Sequence, residues 1–419
     1  MTRSAKRGLV PKLRFPEFRE AGEWEVDELG TVAVFVNEKI PVEQVALENY
    51  VSTENILQDF GGVARASKLP TMGTVTRFRL LDTLVSNIRP YLKKVWVADK
   101  EGGASNDVIV IRAKQRLLPQ YFSFLLKNDT FIDYVMTSAK GVKMPRGDIG
   151  SMKAYPALYP TKPEQQKIAD CLASLDERIT LETQKLDTLK THKKGLMQQL
   201  FPAEGETLPK LRFPEFRDAG EWVEKLLGSS IEEFREKSTV QDEFEVLTSA
   251  RSGLVRQREY YDNDRITERD NIGFNIVPPN YLTYRSRSDD RQFYFNENDL
   301  GITGIVSTYY PVFRVLEGSN KFFVELLACY STIVGKHSVG TSQTVLSLNE
   351  LRRIKLPIPK EAEQQKIADC LASLDDHITA QTQKLAALKT HKKGLMQQLF
   401  PFVGGVPRRG GVVEEAGEA

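Results

Sequence analysis

Residues 164–202 read EQQKIADCLASLDERITLETQKLDTLKTHKKGLMQQLFP, and residues 363–401 read EQQKIADCLASLDDHITAQTQKLAALKTHKKGLMQQLFP. Only six of the 39 aligned positions differ. A shorter block opens each half, because PKLRFPEFREAGEW (11–24) returns as PKLRFPEFRDAGEW (209–222) with one difference. The offsets of 199 and 198 residues identify a tandem duplication with a period near 200 residues.

The longer repeated blocks are predicted to form helices. Apolar residues recur with a 4-3-4 spacing, which places one apolar seam along each helix with a period of 3.5 residues. The seam consists of Ile168, Leu172, Leu175, Ile179, Leu186, Leu189, Leu196, Leu200, Ile367, Leu371, Leu374, Ile378, Leu385, Leu388, Leu395 and Leu399. Pro202 and Pro401 end the two helices, and each helix is roughly 55 Å long at the usual rise per residue.

A helix with one apolar seam needs a partner, and the second copy of the same helix is the obvious one. The alternative is that each helix packs only on the globular segment beside it. An antiparallel pair would relate the two halves by a pseudo-two-fold axis. It would also hold the intervening segments at opposite ends of a rigid rod.

The segments between the repeated blocks, which we call the first insert (31–152) and the second insert (229–350), share no obvious identity. Runs typical of strands occur at 81–98, 107–113, 274–285, 291–295 and 301–315, and helical runs occur at 119–137 and 322–334. The predicted fold class is therefore α+β, with two α/β inserts and two long helices in an antiparallel coiled coil. Near-identical frames around different inserts favour a protein that recognises two different targets through the same geometry.

The composition excludes several classes of protein. The chain has 419 residues, of which 41% are hydrophobic and 27% charged, as in a soluble protein of two or three domains. Its three cysteines cannot form a disulfide framework, and the start MTRSAKRGLVPKLRF has no apolar core of a signal peptide. The longest apolar stretch, 322–334, is too short to span a bilayer. A reducing cytoplasm is the expected location, with no membrane association.

The sequence offers no convincing catalytic or metal-binding constellation. Val277-Pro278-Pro279-Asn280-Tyr281 resembles the D/N-P-P-Y/F loop of amino-methyltransferases, but Val stands where Asn or Asp is required. No phosphate-binding G-x-x-x-x-G-K-[ST] loop is present. We therefore expect a binding or targeting subunit that has no catalytic residues, ligates no metal and binds no cofactor itself.

Basic and aromatic residues in the inserts favour a DNA partner. Between residues 60 and 116 there are eleven Lys/Arg against four Asp/Glu, whereas the second insert has thirteen against eighteen. Such basic clusters suit phosphate contacts and base readout by Arg, although a solvated charged surface would look the same. The candidate DNA-binding residues are Arg77, Arg79, Arg89, Tyr91, Lys93, Lys94, Lys143, Arg146, Arg251, Arg256, Arg258, Tyr261, Arg285, Arg287, Thr341, Ser342 and Gln343.

The doubled helix motif resembles the specificity subunit of type I restriction–modification systems. The resemblance rests on the stretches 163–169 and 193–201, together with Leu172, Leu175 and Asp176, all of which except Pro163 recur between Glu363 and Phe400. The inserts contribute as well, because 86–91 and 301–310 resemble stretches of that family's target recognition domains. The departures are minor, chiefly Ala362 where a Pro often precedes the Glu-Gln pair.

The resemblance implies a domain plan and a division of labour. Target recognition domains at 1–160 and 203–360 would each read half of a bipartite asymmetric site in double-stranded DNA. Spacer helices at 161–202 and 361–401 would set the gap, and a flexible tail would follow at 402–419. Two modification subunits would bind S-adenosylmethionine and methylate adenine N6, and restriction subunits would use ATP and Mg²⁺ to translocate and cleave DNA.

Two other hypotheses stay open on the sequence alone. One is a self-contained methyltransferase or nuclease. The other is a coiled-coil scaffold that presents two protein-binding modules.

Overall fold

The computed structural model describes residues 9–251, 253–260 and 270–401. These residues form two compact units, of which unit 1 comprises 9–182 and 384–401, and unit 2 comprises the described residues of 183–383. The first insert lies in unit 1 and the second insert in unit 2. Each long helix contributes one half to each unit. No helix in the described part of the chain is both long and apolar enough to cross a membrane.

Unit 1 contains ten strands and four short helices within its described residues, besides halves of the long helices. The strands are β1 (Glu25–Glu28), β2 (Ala33–Val36), β3 (Lys39–Pro41), β4 (Tyr50–Val51), β5 (Thr74–Phe78), β6 (Thr83–Ser86), β7 (Val95–Val97), β8 (Gly102–Ala104), β9 (Val108–Ala113) and β10 (Pro156–Tyr159). The helices are α1 (Leu29–Val32), α2 (Pro119–Leu126), α3 (Asp129–Thr137), α4 (Ile149–Lys153) and the long α5 (Lys162–Leu200).

Unit 2 has a similar element order, with some additional elements and without counterparts of α1 and β3 among its described strands and α-helices. Its strands are β11 (Val223–Leu226), β12 (Ile231–Phe234), β13 (Glu245–Ala250), β14 (Gly253–Arg256), β15 (Asn275–Val277), β16 (Leu282–Tyr284), β17 (Arg287–Ser288), β18 (Phe295–Glu297), β19 (Gly304–Val306), β20 (Val312–Val315), β21 (Thr344–Val345) and β22 (Lys355–Ile358). Its helices are α6 (Gln257–Tyr260), α7 (Asn320–Cys329), α8 (Ser331–Lys336), α9 (Leu348–Arg352) and the long α10 (Glu361–Leu399).

The two inserts share one topology although their sequences differ. The antiparallel sheet β2-β9-β6-β7 of unit 1 corresponds strand for strand to β12-β20-β16-β18 of unit 2. In the second sheet, β5-β8-β4 corresponds to β15-β19-β13, and in both cases the last pair is parallel. The inserts are therefore two versions of one α/β fold.

The ends of each insert are joined by a short antiparallel ribbon. The strand β1 follows the opening block and pairs with β10, with Glu25 opposite Tyr159. In unit 2, β11 pairs with β22, with Val223 opposite Ile358. Because each insert begins and finishes at the same ribbon, its interior sequence can change without moving the helix that follows.

A buried ion pair locks the opening block onto the start of each long helix. Arg14 donates two hydrogen bonds to the Glu164 carboxylate, at 2.8 and 2.7 Å, and the Trp24 indole donates a third at 3.3 Å. Arg212, Trp222 and Glu363 repeat this arrangement in unit 2, at 2.7, 2.7 and 3.2 Å. The hydrogen bonds to each carboxylate raise the pKa of its Arg partner. We call these two triads the frame clamps, and each joins two residues of the shorter repeated block to the first glutamate of the longer one.

Antiparallel helix pairing is visible within each unit. In unit 1, Lys392 pairs with Asp176 and Lys384 pairs with Glu182, so numbers rise on one helix as they fall on the other. In unit 2, Lys193 forms the equivalent pair with Asp375 at 2.8 Å. All sixteen seam residues named above are buried or half-buried. The helices also pack on the inserts, because Ile168 and Leu172 belong to the core of unit 1.

An aromatic cluster completes the core of each unit. Phe400, at the end of α10, contacts Trp24 and Tyr121, with ring centroids 6.2 and 5.5 Å apart. Phe201, at the end of α5, contacts Trp222 and Phe322 at 6.0 and 5.6 Å. Each core is therefore completed by the phenylalanine that directly follows the long helix that begins in the other unit.

The structure differs from the sequence expectation at the helix predicted over 119–137. That stretch forms α2 and α3, because the Asn128 side chain accepts a hydrogen bond from the Thr130 backbone N–H and caps a new helix. The run 322–334 is likewise divided between α7 and α8. The predicted domain boundaries stay predictions, and the tail 402–419 lies outside the described residues.

Candidate nucleic-acid interface

Each insert presents an exposed hairpin, 140–146 in the first and 339–345 in the second. The residues at the ends of each hairpin exchange two backbone hydrogen bonds, Lys140 with Arg146 at 2.9 Å and Val339 with Val345 at 2.8 and 2.9 Å. The second residue of each is a glycine with positive φ, +99° at Gly141 and +121° at Gly340. We call these segments the first and second hairpin.

Both hairpins pair with a neighbouring segment in the same way. Arg146 bridges Ile88 in unit 1, and Val345 pairs with Arg287 in unit 2. A Cβ added to Gly141 would meet the Met144 carbonyl oxygen at 3.3 Å, and one added to Gly340 would meet the equivalent oxygen of Gln343 at 2.4 Å. The two hairpins are therefore the same structural element.

Four of the candidate residues of the first insert lie at or beside the first hairpin. Arg89 has a φ of +52° and donates its backbone N–H to the Pro145 carbonyl at 2.8 Å. Arg146 forms an ion pair with Asp107 at 3.1 Å. The side chains of Arg89 and Lys143 are exposed and have no ion pair or hydrogen bond with any described residue. Tyr91, in the turn after Arg89, is also exposed.

Lys93 and Lys94 follow that turn and are partly engaged. Lys93 forms an ion pair with Asp129 at 2.7 Å, and Lys94 donates to the Thr53 carbonyl at 2.6 Å. Both side chains are half-buried. They have less freedom to bind a phosphate than Arg89 or Lys143.

Arg77 and Arg79 belong to a different part of unit 1. Arg77 lies on β5, in the sheet β3-β5-β8-β4, and Arg79 follows the end of that strand. Both guanidinium groups contact the carboxylate of Glu38, at 3.2 and 3.3 Å. Within the described residues no hydrogen bond or ion pair joins either arginine to the first hairpin. Arg77 also pairs with Glu101 at 3.5 Å, so the positive charge at this position is largely neutralised by carboxylates.

The basic excess of the first insert is smaller in the folded structure than the count of charged residues between 60 and 116 suggests. Acids outside the 60–116 window neutralise part of it, since Glu38 pairs with Arg79, Asp129 with Lys93 and Asp27 with Arg116. Within the window, two hydrogen bonds to Asp82 raise the pKa of Arg112. Arg89 and Lys143, at the first hairpin, are among the exposed basic residues that form no ion pair with a described residue, and Arg65 and Lys68 are others elsewhere in the insert.

In the second insert, Arg287 lies beside the second hairpin and stacks on the Tyr309 ring. Its guanidinium carbon is 3.8 Å from the ring centroid, and Tyr309 is half exposed. Stacking restricts the guanidinium plane while its N–H groups stay able to donate to a base or phosphate. Arg285 and the tip residues Thr341, Ser342 and Gln343 are exposed.

Three further candidate arginines of the second insert are paired with carboxylates. Arg251 contacts Asp290 at 3.2 Å, and Arg256 and Arg258 both contact Glu245 at 2.9 Å. The hydrogen bond to Glu245 is the main cause of the raised pKa of Arg256. Tyr261, also a candidate, lies outside the described residues.

Sequence reasoning missed several residues of these surfaces. Nothing in the sequence marks Tyr309 as part of this surface, because its role depends on the stacking of Arg287 on its ring. Arg291 lies far from the second hairpin in sequence, yet it donates a hydrogen bond to the Gly340 carbonyl at 3.5 Å. Val142 and Met144 give no sign of a DNA contact in the sequence, because they are apolar residues between basic ones. Their exposure, 100% for Val142 and 51% for Met144, is visible only in the fold.

Two copies of one α/β module, each with a different exposed hairpin and each locked to the same helical frame, define a two-module recognition protein. The family model for the type I restriction modification DNA specificity domain matches residues 22–191 and 254–390, more than half of the chain. The chain belongs to this type I restriction–modification DNA specificity family. The resemblance, fold class and function predicted from the sequence are thereby confirmed at the level of the family.

Individual relatives agree with this assignment. The chain is 23% identical over 425 residues to the type I restriction enzyme MjaVIII specificity subunit of Methanocaldococcus jannaschii, with 93% of each chain covered. It matches the crystal structure of a type I S subunit from M. genitalium with a TM-score of 0.58 at 17% identity, over 94% of this chain and 100% of that one. A structure describing complex assembly and conformational transition of the type I R-M system gives 0.54 at 16% identity, over 90% and 97%. At these identities the solved structures show the fold alone.

Proposed function

We propose that this chain reads a bipartite, asymmetric site in double-stranded DNA, one half through each insert. It directs two modification subunits, which are methyltransferases, and the restriction subunits, which translocate and cleave DNA, to that site in the cytoplasm. The single observation that supports this most strongly is that two inserts of one topology present different exposed side chains on the same hairpin.

The two helical frames explain how one chain can hold two readers. The frame clamps recur in both units, as do the ion pairs of Lys193 with Asp375 and of Lys392 with Asp176, although Lys193 also pairs with Glu325. Because 33 of the 39 residues in the long repeated blocks are identical, a partner that recognises one helical frame finds nearly the same surface at the other, while each insert supplies its own base contacts. This arrangement suits two identical modification subunits bound to one asymmetric chain.

The catalytic chemistry belongs to the partners in this proposal. S-adenosylmethionine would be bound by the modification subunits, and ATP and Mg²⁺ by the restriction subunits. The chain by itself would contribute recognition and no turnover. Purified chain with S-adenosylmethionine or with Mg-ATP is therefore expected neither to methylate nor to cleave DNA.

The test is reconstitution of the full chain with its methyltransferase partner on a random-sequence plasmid library. Sequencing of methylated adenines should give one bipartite consensus with two different halves, and duplex binding should weaken steeply as salt is raised. Omission of the chain is the control and should abolish site-specific methylation. Methylation without a bipartite consensus, or specific binding to proteins but not DNA, would refute the proposal.

A further inference from the structure

The two hairpins keep their anchoring residues and differ in the chemistry of their tips. Each begins with a residue that bridges the last one, continues with a glycine of positive φ, and buries its sixth residue, Pro145 or Thr344. The three residues between are Val142-Lys143-Met144 in the first hairpin and Thr341-Ser342-Gln343 in the second. All six are exposed.

The anchoring is rigid enough to present the tips in a defined way. Thr344 donates its hydroxyl to the Ser288 carbonyl at 2.9 Å, and Arg146 reaches Asp107 at 3.1 Å. Gly141 and Gly340 hold a left-handed backbone that side chains with a Cβ rarely adopt. The three tip residues take no part in these anchoring contacts, so they can vary without a change in the backbone of the hairpin.

The first tip combines exposed apolar groups with positive charge. Val142 is fully exposed and Met144 is half exposed, and neither belongs to a hydrophobic cluster of unit 1. Lys143 lies between them, and Arg89 lies beside the hairpin with an exposed side chain. Apolar side chains on a basic loop suit a DNA groove, where they contact thymine methyl groups or base steps while the cations contact phosphates.

The second tip has hydrogen-bonding chemistry. The hydroxyl groups of Thr341 and Ser342 can donate to or accept from either base type, and the amide of Gln343 suits the N6 and N7 edge of adenine. Arg287, stacked on Tyr309, lies on the strand next to this hairpin.

We propose that the two hairpins are one base-reading element used twice, and that their three-residue tips determine part of the sequence read in each half-site. Val142 and Met144 make apolar contacts with bases of the first half-site, and Thr341, Ser342 and Gln343 hydrogen-bond to bases of the second. The inference rests on the proposed function and adds to it the residues that select the bases.

Reciprocal tip exchange tests the inference in the full chain with its methyltransferase partner. One variant is V142T/K143S/M144Q and the other is T341V/S342K/Q343M. Each should change the consensus at one or a few adjacent bases of a single half-site, the first variant in one half and the second in the other. Affinity for the original site should fall about tenfold, the usual scale for one misread base pair.

Controls separate recognition from charge and folding. K68S removes an exposed lysine of the first insert outside the hairpin and should leave the consensus unchanged. An unchanged melting temperature should show that each tip variant is folded. If a variant gives no methylation, its binding is measured against duplexes in which one half-site is randomised, and the inference requires lost discrimination in its own half alone.

An unchanged consensus, or a change in the same half-site for both variants, would overturn the inference while the proposed function stands. Absence of site-specific methylation with the wild-type chain would overturn both. The two failures are therefore distinguishable.

Discussion

Removal of the carboxylate from a frame clamp should destabilise its unit strongly. Glu164 and Arg14 are 1% and 7% exposed, and they are joined by two hydrogen bonds of 2.7 and 2.8 Å. The variant Glu164→Ala leaves a buried guanidinium and the Trp24 indole without their acceptor. Loss of one partner of a buried ion pair costs about 3–5 kcal/mol, which corresponds to a fall in the melting temperature of about 10 °C for a unit of this size.

The same structure predicts what should restore stability. The double variant R14M/E164L removes both charges and fills the space with apolar groups, so it should recover much of the loss. Glu363→Ala should destabilise unit 2 by a similar amount, because Arg212 and Trp222 surround it with the same geometry.

Calorimetry and urea unfolding of the full chain give the measurement. Gln166→Ala is the matched control, since this neighbour in the repeated motif is exposed and bonds only to Asp170 among the described residues, and its effect should stay below about 0.5 kcal/mol. A loss of less than about 1 kcal/mol for Glu164→Ala would refute the clamp as a main support of the fold. So would a double variant less stable than the single one.

Three further predictions concern assembly, recognition and reactivity. The fragment 1–208 lacks Leu399 and Phe400, which complete the core of unit 1. It should therefore dimerise by using Leu200 and Phe201 of a second copy, and the dimer should direct methylation to a palindrome of the first half-site. Sedimentation that shows a folded monomer at micromolar concentration would contradict this. Arg89→Ala or Arg146→Ala should weaken recognition of the first half-site alone, and Arg287→Ala that of the second alone, by about 5- to 100-fold per lost base contact, as measured with duplexes that carry one randomised half; loss in the opposite half would show that the inserts do not read separately. Burial raises the pKa of the Cys329 thiol to about 11. In a variant without the other two cysteines, its reaction with a thiol reagent at pH 8 should therefore be at least tenfold slower in the native chain than in urea, and it should accelerate as pH rises toward 11. Equal rates in the native and unfolded chain would argue against that burial.

The sequence by itself determined the duplication, the long helices and the family. Helix periodicity is local, so the 4-3-4 spacing and the terminal prolines predict α5 and α10 without knowledge of any partner. The repeated Glu-Gln motif carried the resemblance to type I specificity subunits. Hairpin residues such as Lys143 and Gln343 are candidates because of their side-chain chemistry alone, and their role in recognition stays a prediction.

Only the tertiary structure decided how these pieces act together. Sheet pairing is non-local, so the shared topology of the inserts could not be read from strands of two to six residues whose sequences differ. The ion pairs of Arg79 with Glu38 and of Lys93 with Asp129 join residues that are far apart in sequence, and they reduce the basic excess of the stretch between residues 60 and 116. Likewise, the burial of Arg14 and Trp24 cannot be predicted from neighbouring residues. The carboxylate that both side chains bind lies 150 residues away from Arg14 and 140 from Trp24. Residues distant in sequence come into contact only when the core forms. The sequence alone therefore does not show that the two hairpins occupy equivalent positions in their inserts.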